Sequence, residues 1–377
     1  VGGGVLLSIS KGRRDEQAAR EYFTVALWLA VAFAVFYIAG GHLLFKPVTE
    51  FLGRNDTMGN YVDEYGRVLV TGAPVFLFSA FLQAFVRNDR APKVSMAAVV
   101  SGGVTNVVLD YIFIFPMKMG MAGAAIASVI GSLLTVGILL THLFSPDNTL
   151  KVVARPEWKK AWEVVVNGFA SFLLEMCNGV VTFLFNRQLL VYVGDLGVVV
   201  YGIISNSALI VASISNGISQ AVQPILATNY GAGRKSRLKE TRHMGEMAVT
   251  ISGILFTGIG LLLPALVTAA FVKPTAEILA MSVPAVRIYF LSFFAMGFNI
   301  LYGTYFQSVM KPGYSLFICM MRGMVINGIL VFLLPVAFGV TGIWSVMPVT
   351  EFVTLIICRF LLAGQNKKLP STGVSGA

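Results

Sequence analysis

Residues 106–131 read NVVLDYIFIFPMKMGMAGAAIASVIG, and this stretch decides the fold. Two apolar runs meet at a short turn that contains Pro116 and Gly120. With their neighbours, the runs reach the roughly 20 residues that a helix needs to cross a bilayer, and they lack the strict alternation of barrel strands. The stretch therefore predicts two antiparallel membrane helices. One acid, Asp110, interrupts the first helix, where an unpaired charge costs several kcal/mol.

The rest of the chain has the same apolar character. Of its 377 residues, 56% are hydrophobic and 12% are charged, against about 25% charged in an ordinary soluble domain. Ten complete apolar stretches predict spanning helices at 22–44, 65–86, 94–116, 121–143, 164–192, 198–227, 245–271, 283–308, 313–337 and 341–363. We therefore predict an all-α polytopic membrane protein with the lipid bilayer as its main partner.

Basic residues are concentrated in alternate loops. One set of loops carries 20 of the 28 Lys and Arg residues and the opposite set carries five. The positive-inside rule then predicts a multi-pass protein of the plasma (cytoplasmic) membrane with its C-terminus in the cytoplasm. Topology thus accounts for the net charge of +10 and gives no reason to expect nucleic acid as a partner.

Two short patterns occur twice. Three positions of the opening turn recur 219 residues later, since Pro116, Gly120 and Gly123 match Pro335, Gly339 and Gly342. LSISKGRRDEQAARE near the start similarly matches ATNYGAGRKSRLKE from Ala227. We predict two pseudo-symmetric helical lobes, over 1–143 and 164–377, joined by a cytoplasmic linker over 144–163. At this offset Ile329 takes the place of Asp110, so the repeat folds without an acid there.

The hairpin of residues 106–131 and the segment ISQAVQPILATNYGAGR resemble the multidrug and toxic compound extrusion (MATE) transporters, in particular their bacterial multidrug-exporting branch. The resemblance covers essentially the whole chain. It implies a fold of six plus six helices, of which this chain would lack the first and most of the second. It also implies a secondary active antiporter that exports organic cations or drugs by alternating access, in exchange for protons or sodium.

The resemblance further implies a cation-coupling site. The family's Asp and Asn on one helix and hydroxyl on the next map onto Asp110, Asn106 and Ser128, with Gln83 as a further member. Asp110 and Asn106 are four residues apart and share a helix face. We expect Asp110 to bind the coupling ion; the alternative is a structural carboxylate held by polar neighbours.

A second acid used by other family members maps onto Glu175. Ser171, Asn178 and Thr182 lie on the same helix face as Glu175, and this stripe is expected either to face the substrate cavity or to form a seam between helices. Residues 283–308 contain no acid, which argues against a sodium site in the C-terminal lobe.

Glu351 is a third acid within a span. It is expected to face the substrate cavity, unless Arg322 pairs with it. For Arg322 itself we favour an interpretation in which the side chain extends to the interface. Four aromatic residues are expected to line the cavity, where ring faces attract organic cations: Tyr37, Phe78, Tyr302 and Phe306.

Other functions have less support. The sequence contains no GxSxG, HExxH or P-loop motif and three dispersed histidines, so we expect neither an enzyme nor a cofactor nor a metal site. The remaining alternative is a lipid-linked oligosaccharide flippase of the same broader superfamily. Such a protein should bring several basic residues into its cavity, whereas the deep charges here are mostly acidic. We expect a monomer.

Overall fold

The computed structural model describes residues 1–51 and 59–366, with the side chains of those ranges except at positions 51, 174, 178, 365 and 366. Its contacts divide the chain into two compact units, Val1–Val165 (unit 1) and Val166–Ala377 (unit 2). Within the described ranges the regular structure is helical and contains no strand. The prediction of an all-α polytopic membrane protein is confirmed.

In the described residues of unit 1 there are six α-helices and the start of a seventh. They are α1 (Gly2–Gly12), α2 (Glu16–Leu43), α3 (Phe45–Phe51), α4 (Gly59–Asn88), α5 (Pro92–Ile114), α6 (Gly120–Thr141) and the first turns of α7 (Lys159–Tyr192). Local chemistry explains two of the helix starts. The Asp15 carboxylate accepts a hydrogen bond from the Ala18 amide and caps α2. Pro92 begins α5, where a missing N–H costs nothing.

Unit 2 continues α7 and, up to residue 366, adds seven α-helices. They are α8 (Asp195–Gly231), α9 (Lys235–Leu262), α10 (Pro264–Phe271), α11 (Ala276–Phe290), α12 (Ser292–Ser308), α13 (Pro312–Met320) and α14 (Ile326–Asn366). A π-helical turn, Met321–Val325, connects α13 with α14. Two apolar clusters form the core of the unit, one around Phe293 and Trp344 and one around Tyr302 and Phe306.

The described chain has nine helical segments that are long and apolar enough to span a membrane. The last of them, Pro312–Gly364, contains two of the ten predicted stretches. Its α14 part is interrupted at Gly339, whose φ of 58° and ψ of −139° are not helical. The predicted stretch 245–271 is in fact two helices, because Pro264 cannot continue α9 and restricts the residue before it.

Glycines bring α5 and α6 of unit 1 into direct contact. A Cβ at Gly131 would lie 2.6 Å from the Gly102 carbonyl oxygen and 3.0 Å from the Asn106 Cβ. The Thr135 hydroxyl donates to the Gly131 carbonyl at 3.0 Å and lies 3.3 Å from that of Ala98. Close backbone approach through small residues is typical of membrane helix packing. It aligns the polar side chains of α5 with those of α6.

The two units repeat the same turn. After α1, the amides of Arg14 and Asp15 donate to the carbonyls of Lys11 and Ser10, at 3.0 and 2.9 Å. After α8, the amides of Gly233 and Arg234 donate to the carbonyls of Tyr230 and Asn229, at 3.1 and 2.9 Å. Each of these four residues lies 219 positions after its counterpart in the first turn. Arg14 and Gly233 share a left-handed backbone, with φ of 61° and 68°.

A second turn is repeated in the same way. It follows α4 at Arg90 (φ 65°) and α12 at Met310 (φ 55°). The amides of Ala91 and Lys311 close the two turns by donating to the carbonyls of Val86 and Phe306. The turn geometry therefore belongs to the fold, whereas the side chains at these positions differ between the units.

Asp89 joins three separate segments of unit 1. Its side chain is fully buried and accepts hydrogen bonds from Lys11 of α1, from His142 Nε2 at 2.8 Å, and from the amide of Thr149 at 3.0 Å. The Thr149 hydroxyl donates to it as well. Burial alone would raise the pKa of the Asp89 carboxyl, but the donors from Lys11, Thr149 and His142 together hold it below its usual value. The carboxylate therefore fastens the segment after α6 to the ends of α1 and α4.

The glycine contact predicts different effects for two adjacent substitutions. In Gly102→Ala, the new Cβ would lie 1.9 Å from the Thr135 hydroxyl and 2.6 Å from the Gly131 carbonyl oxygen, so α5 and α6 must separate. We expect the free energy of unfolding to fall by about 1–3 kcal/mol. Gly103→Ala is the control, because its Cβ meets nothing within 4 Å. Thermal unfolding in detergent compares them, and equal midpoints would contradict the contact.

Asp89→Asn should destabilise unit 1 at neutral pH by about 3 kcal/mol, because it leaves the buried Lys11 without its counter-charge. Since the folded pKa of Asp89 is lowered, its stabilisation is complete above the unfolded value, near pH 4, and is lost as the pH falls through the lower folded value. Asp147→Asn, at an exposed position of the same segment, is the control. The measurement is the unfolding midpoint of each variant as a function of pH. Equal midpoints for Asp89→Asn and Asp147→Asn at pH 7 would contradict the prediction.

Candidate cation-coupling site

A polar pair connects α5 and α6. Asn106 Nδ2 donates a hydrogen bond to Ser128 Oγ at 3.1 Å, just beyond the glycine contact. Asp110 lies one turn further along α5, on the same face, and four residues before the helix ends. The structure thus brings Asn106 and Ser128 together, with the acid one helical turn further along α5.

The Asp110 carboxylate is incompletely satisfied. Its Oδ1 atom is buried and accepts no hydrogen bond from any residue that the structure describes. A buried anionic oxygen without a donor is unfavourable, because it has lost its hydration without replacement. A proton or a small cation on this oxygen would remove that cost. Among the described residues, no group of three or more His, Cys, Asp or Glu side chains is arranged to hold a metal ion.

Gln83 does not join this site, which corrects the sequence-based expectation. Its carbonyl lies 3.3 Å from the Ser95 hydroxyl, so Gln83 is level with the beginning of α5. Asn106 lies 11 residues after Ser95 on α5, which is about 16 Å along the helix axis. The two side chains are too far apart along the helix to share a small ion.

The polar residues around Glu175 on α7 have different environments: some contact neighbouring helices, and Glu175 itself is exposed. Gln307 Nε2 donates to the Ser171 hydroxyl at 3.1 Å, which links α7 to α12. Thr182 hydrogen-bonds the buried Tyr201 of α8. Glu175 is exposed and, within the described part of the chain, has no ion pair or hydrogen bond. The Asn178 side chain lies outside the described residues. Two members of the stripe therefore form a seam between helices, and Glu175 is left uncovered.

Glu351 is buried in unit 2 and does not face an open surface. Its side chain is completely inaccessible, and Arg322 pairs with its Oε1 at 2.6 Å. Asn299 Nδ2 donates to Oε2 at 2.7 Å and to the Glu351 carbonyl at 2.8 Å. This corrects two expectations: Glu351 belongs to a structural pair, and Arg322 does not extend to the interface. The π-helical turn that contains Arg322 positions it toward α14.

Sequence reasoning missed the polar residues around this pair. Asn299 is 2% exposed, and its Oδ1 has no partner in the described structure. The same is true of Thr350 Oγ1 and of Asn327 Oδ1, both on α14. The only sequence signal was an asparagine in each of two apolar runs and a threonine beside an acid. Of the three, Asn299 contacts Glu351 directly and Thr350 precedes it in the sequence, and the ion pair beside them carries no net charge.

The four aromatic candidates have different environments. Tyr302 and Phe306 are buried in the core of unit 2, and the Tyr302 hydroxyl donates to Glu246 at 2.9 Å, so neither lines an open cavity. The rings of Tyr302 and Phe306 pack against other core residues. Tyr37 is exposed and lines an apolar pocket of about 310 Å³ in unit 1, with Phe76. Phe78 is half-buried and contacts Phe81, with ring centroids 6.4 Å apart.

These features define the class of protein. It is an all-helical, multi-pass membrane protein whose acids lie within or beside apolar spans. Such acids mark substrate or ion pathways in transporters. The MatE family model matches residues 1–112 and 168–333. The chain belongs to the MatE family, and it is a transporter and not an enzyme.

Individual relatives agree with this assignment. Over 357 residues the chain is 24% identical to the multidrug export protein MepA of Staphylococcus saprophyticus, covering 92% of this chain and 77% of MepA. It resembles an outward-facing MATE family transporter of the MOP superfamily, with a TM-score of 0.92, 20% identity and 98% and 84% coverage. It also resembles the MATE multidrug transporter DinF-BH, with a TM-score of 0.86, 27% identity and 96% and 82% coverage.

The ion pair in unit 2 predicts a non-additive double-mutant cycle. Arg322→Met leaves a buried, uncompensated Glu351, and Glu351→Gln leaves a buried guanidinium. Each should cost about 3–5 kcal/mol, whereas the double variant should recover most of that loss because no unpaired charge remains. Thermal unfolding of the four proteins in detergent measures the coupling. Additive effects would show that the two side chains do not depend on each other.

Proposed function

We propose that this protein exports organic cations across the plasma membrane in exchange for protons or sodium, by alternating access, with Asp110 as the group that binds the coupling ion. Asn106 and Ser128 are its polar neighbours. Glu175 is a further acid that attracts or relays cations from α7. The basic loops, by the positive-inside rule, give a cytoplasmic C-terminus.

One observation carries the coupling role. The Oδ1 atom of Asp110 is buried without a donor among the described residues, whereas the buried acids Asp89 and Glu351 accept several hydrogen bonds each. A satisfied carboxylate has little to gain from a proton or a cation. An unsatisfied one, beside an amide and a hydroxyl, changes its hydrogen bonding when it binds either. Such a change is the kind of local event that can bias a two-state protein.

The identity of the cargo rests on charge and on the relatives. Glu175 is an exposed acid in a span, and an exposed carboxylate attracts a cation. The similar MepA proteins are named multidrug export proteins, and the similar DinF-BH is a multidrug transporter. Together these features support organic cations as the substrate class.

The ion pair of unit 2 argues against the flippase alternative. A protein that moves a lipid pyrophosphate needs basic side chains free to bind it. Arg322, the most deeply placed cation of its span, is already neutralised by Glu351. A cationic cargo therefore agrees better with the distribution of deep charges.

Transport by the reconstituted protein tests the role of Asp110. Ethidium efflux from liposomes, driven by an imposed proton or sodium gradient, should fall at least about tenfold in Asp110→Asn, since an amide cannot exchange the coupling proton or supply the anionic ligand. The ion whose gradient drives wild-type efflux identifies the coupling ion.

Two variants serve as controls. Asp147→Asn removes one exposed negative charge of unit 1 outside the spans and should transport normally. Asp110→Glu keeps a carboxylate and should retain part of the activity. Unfolding midpoints must match the wild type before rates are compared. Gradient-driven efflux that survives intact in Asp110→Asn would move the coupling role to another acid, with Glu175 as the first to test.

A further inference from the structure

A pocket of about 300 Å³ lies at the basic end of unit 1, far from the Asp110 site. Four of its lining residues are cations, Lys11, Arg14, Arg20 and Arg90, and one is an acid, Glu16. The turn after α1, the first turns of α2 and the turn after α4 each contribute to it. The pocket therefore concentrates positive charge from segments that are distant in sequence.

The pocket's charges are only partly neutralised. Lys11 pairs with the buried Asp89 behind the pocket wall, and an Arg20 guanidinium nitrogen lies 3.2 Å from Glu16. Arg14 and Arg90 are exposed and have no ion pair in the described part of the chain. In addition, Arg20 Nε is buried and donates to no acceptor there. The two exposed guanidinium groups are thus available to a ligand.

Asp89 gives the pocket a fixed wall. It is 1% exposed and holds both Lys11 and Thr149, which line the pocket. Side chains fixed in this way lose little conformational entropy when a ligand arrives. The site is therefore pre-organised on one side, with Arg14 and Arg90 on the other.

The repeated turns show that the fold does not require these two arginines. Arg14 and Arg90 both have left-handed backbones, which favour glycine. Unit 2 builds the same two turns with Gly233 and Met310. A long cationic side chain at two such positions brings no backbone advantage. It does bring two guanidinium groups to one pocket.

We infer that this pocket binds a phosphoryl group. Guanidinium groups pair with phosphate through two parallel hydrogen bonds. The charges of two arginines balance the two negative charges of a phosphate monoester and more than balance the single charge of a phosphodiester. The pocket volume exceeds that of one phosphate and admits the group attached to it. The source is either the headgroup of an anionic lipid or a soluble phosphorylated compound. A bound ligand would bridge the turn after α1 to the turn after α4.

The test uses substitutions taken from the protein's own second copy. Arg14→Gly/Arg90→Met installs the residues that unit 2 has at the matching turns, so folding should be preserved. Arg13→Gln/Lys93→Gln is the matched control, because it removes two nearby exposed charges that do not line the pocket. If the first double variant does not fold, Arg14→Asn/Arg90→Asn takes its place, since asparagine tolerates the left-handed backbone.

The measurement is the unfolding midpoint of the full chain in detergent. One arm titrates inorganic phosphate at constant ionic strength, and the other adds phosphatidylglycerol or phosphatidylcholine in mixed micelles. We expect phosphate or phosphatidylglycerol, but not phosphatidylcholine, to raise the wild-type and control midpoints. The pocket variants should bind at least about tenfold more weakly. A response to phosphate alone identifies a soluble ligand, and a stronger response to phosphatidylglycerol identifies a lipid.

Two results would overturn the inference. One is a wild-type protein that responds to neither phosphate nor phosphatidylglycerol. The other is a folded pocket variant that responds as the wild type does. Binding is measured without any ion gradient, so a failure here is distinct from a failure of the proposed antiport.

Discussion

Hydrocarbon donates and accepts no hydrogen bonds, and this constraint governs where the polar side chains of the protein lie. Many hydroxyls on the described helices are satisfied locally, as when those of Ser207, Thr250 and Thr354 donate to carbonyls four residues earlier. The acids cannot be satisfied in that way and must find partners on other segments. Glu351 finds an arginine and an asparagine, and Asp89 finds a lysine, a histidine and a threonine. Asp110 differs because one of its oxygens accepts no hydrogen bond in the part of the chain that the structure describes.

Much of this architecture could be predicted from the sequence. Apolar length alone located the spans, because crossing a bilayer requires a fixed number of residues. The Pro-Gly-Gly spacing located the repeat, because a left-handed backbone at Gly120 and Gly339 restricts the residue type. The resemblance to the MATE transporters put Asn106 and Ser128 in one site, and the antiparallel hairpin does bring them together. The spans and the repeat needed only distance along the chain.

The inferences that failed needed the depth of one helix against another, the direction of a side chain, or a partner distant in the sequence. Gln83 has the right chemistry, but its depth is wrong by about three turns of helix. Tyr302 and Phe306 have the right character for a cavity, yet they point into the core of unit 2. Arg322 lies in a π-helical turn, and the wider i→i+5 geometry of that turn changes the direction of its side chain. No periodicity in the sequence announces such a turn.

Asp89 also has a consequence for the order of synthesis. Its partners come from residues 60 positions later and 78 positions earlier, and the last of them, Thr149, follows the end of α6. Unit 1 therefore cannot complete this junction until the ribosome has made that segment. Once it has, the junction can close before the spanning part of α7 exists. The chain can thus finish one half of the molecule before the other has begun, a separation that favours independent folding of the two repeats during translation.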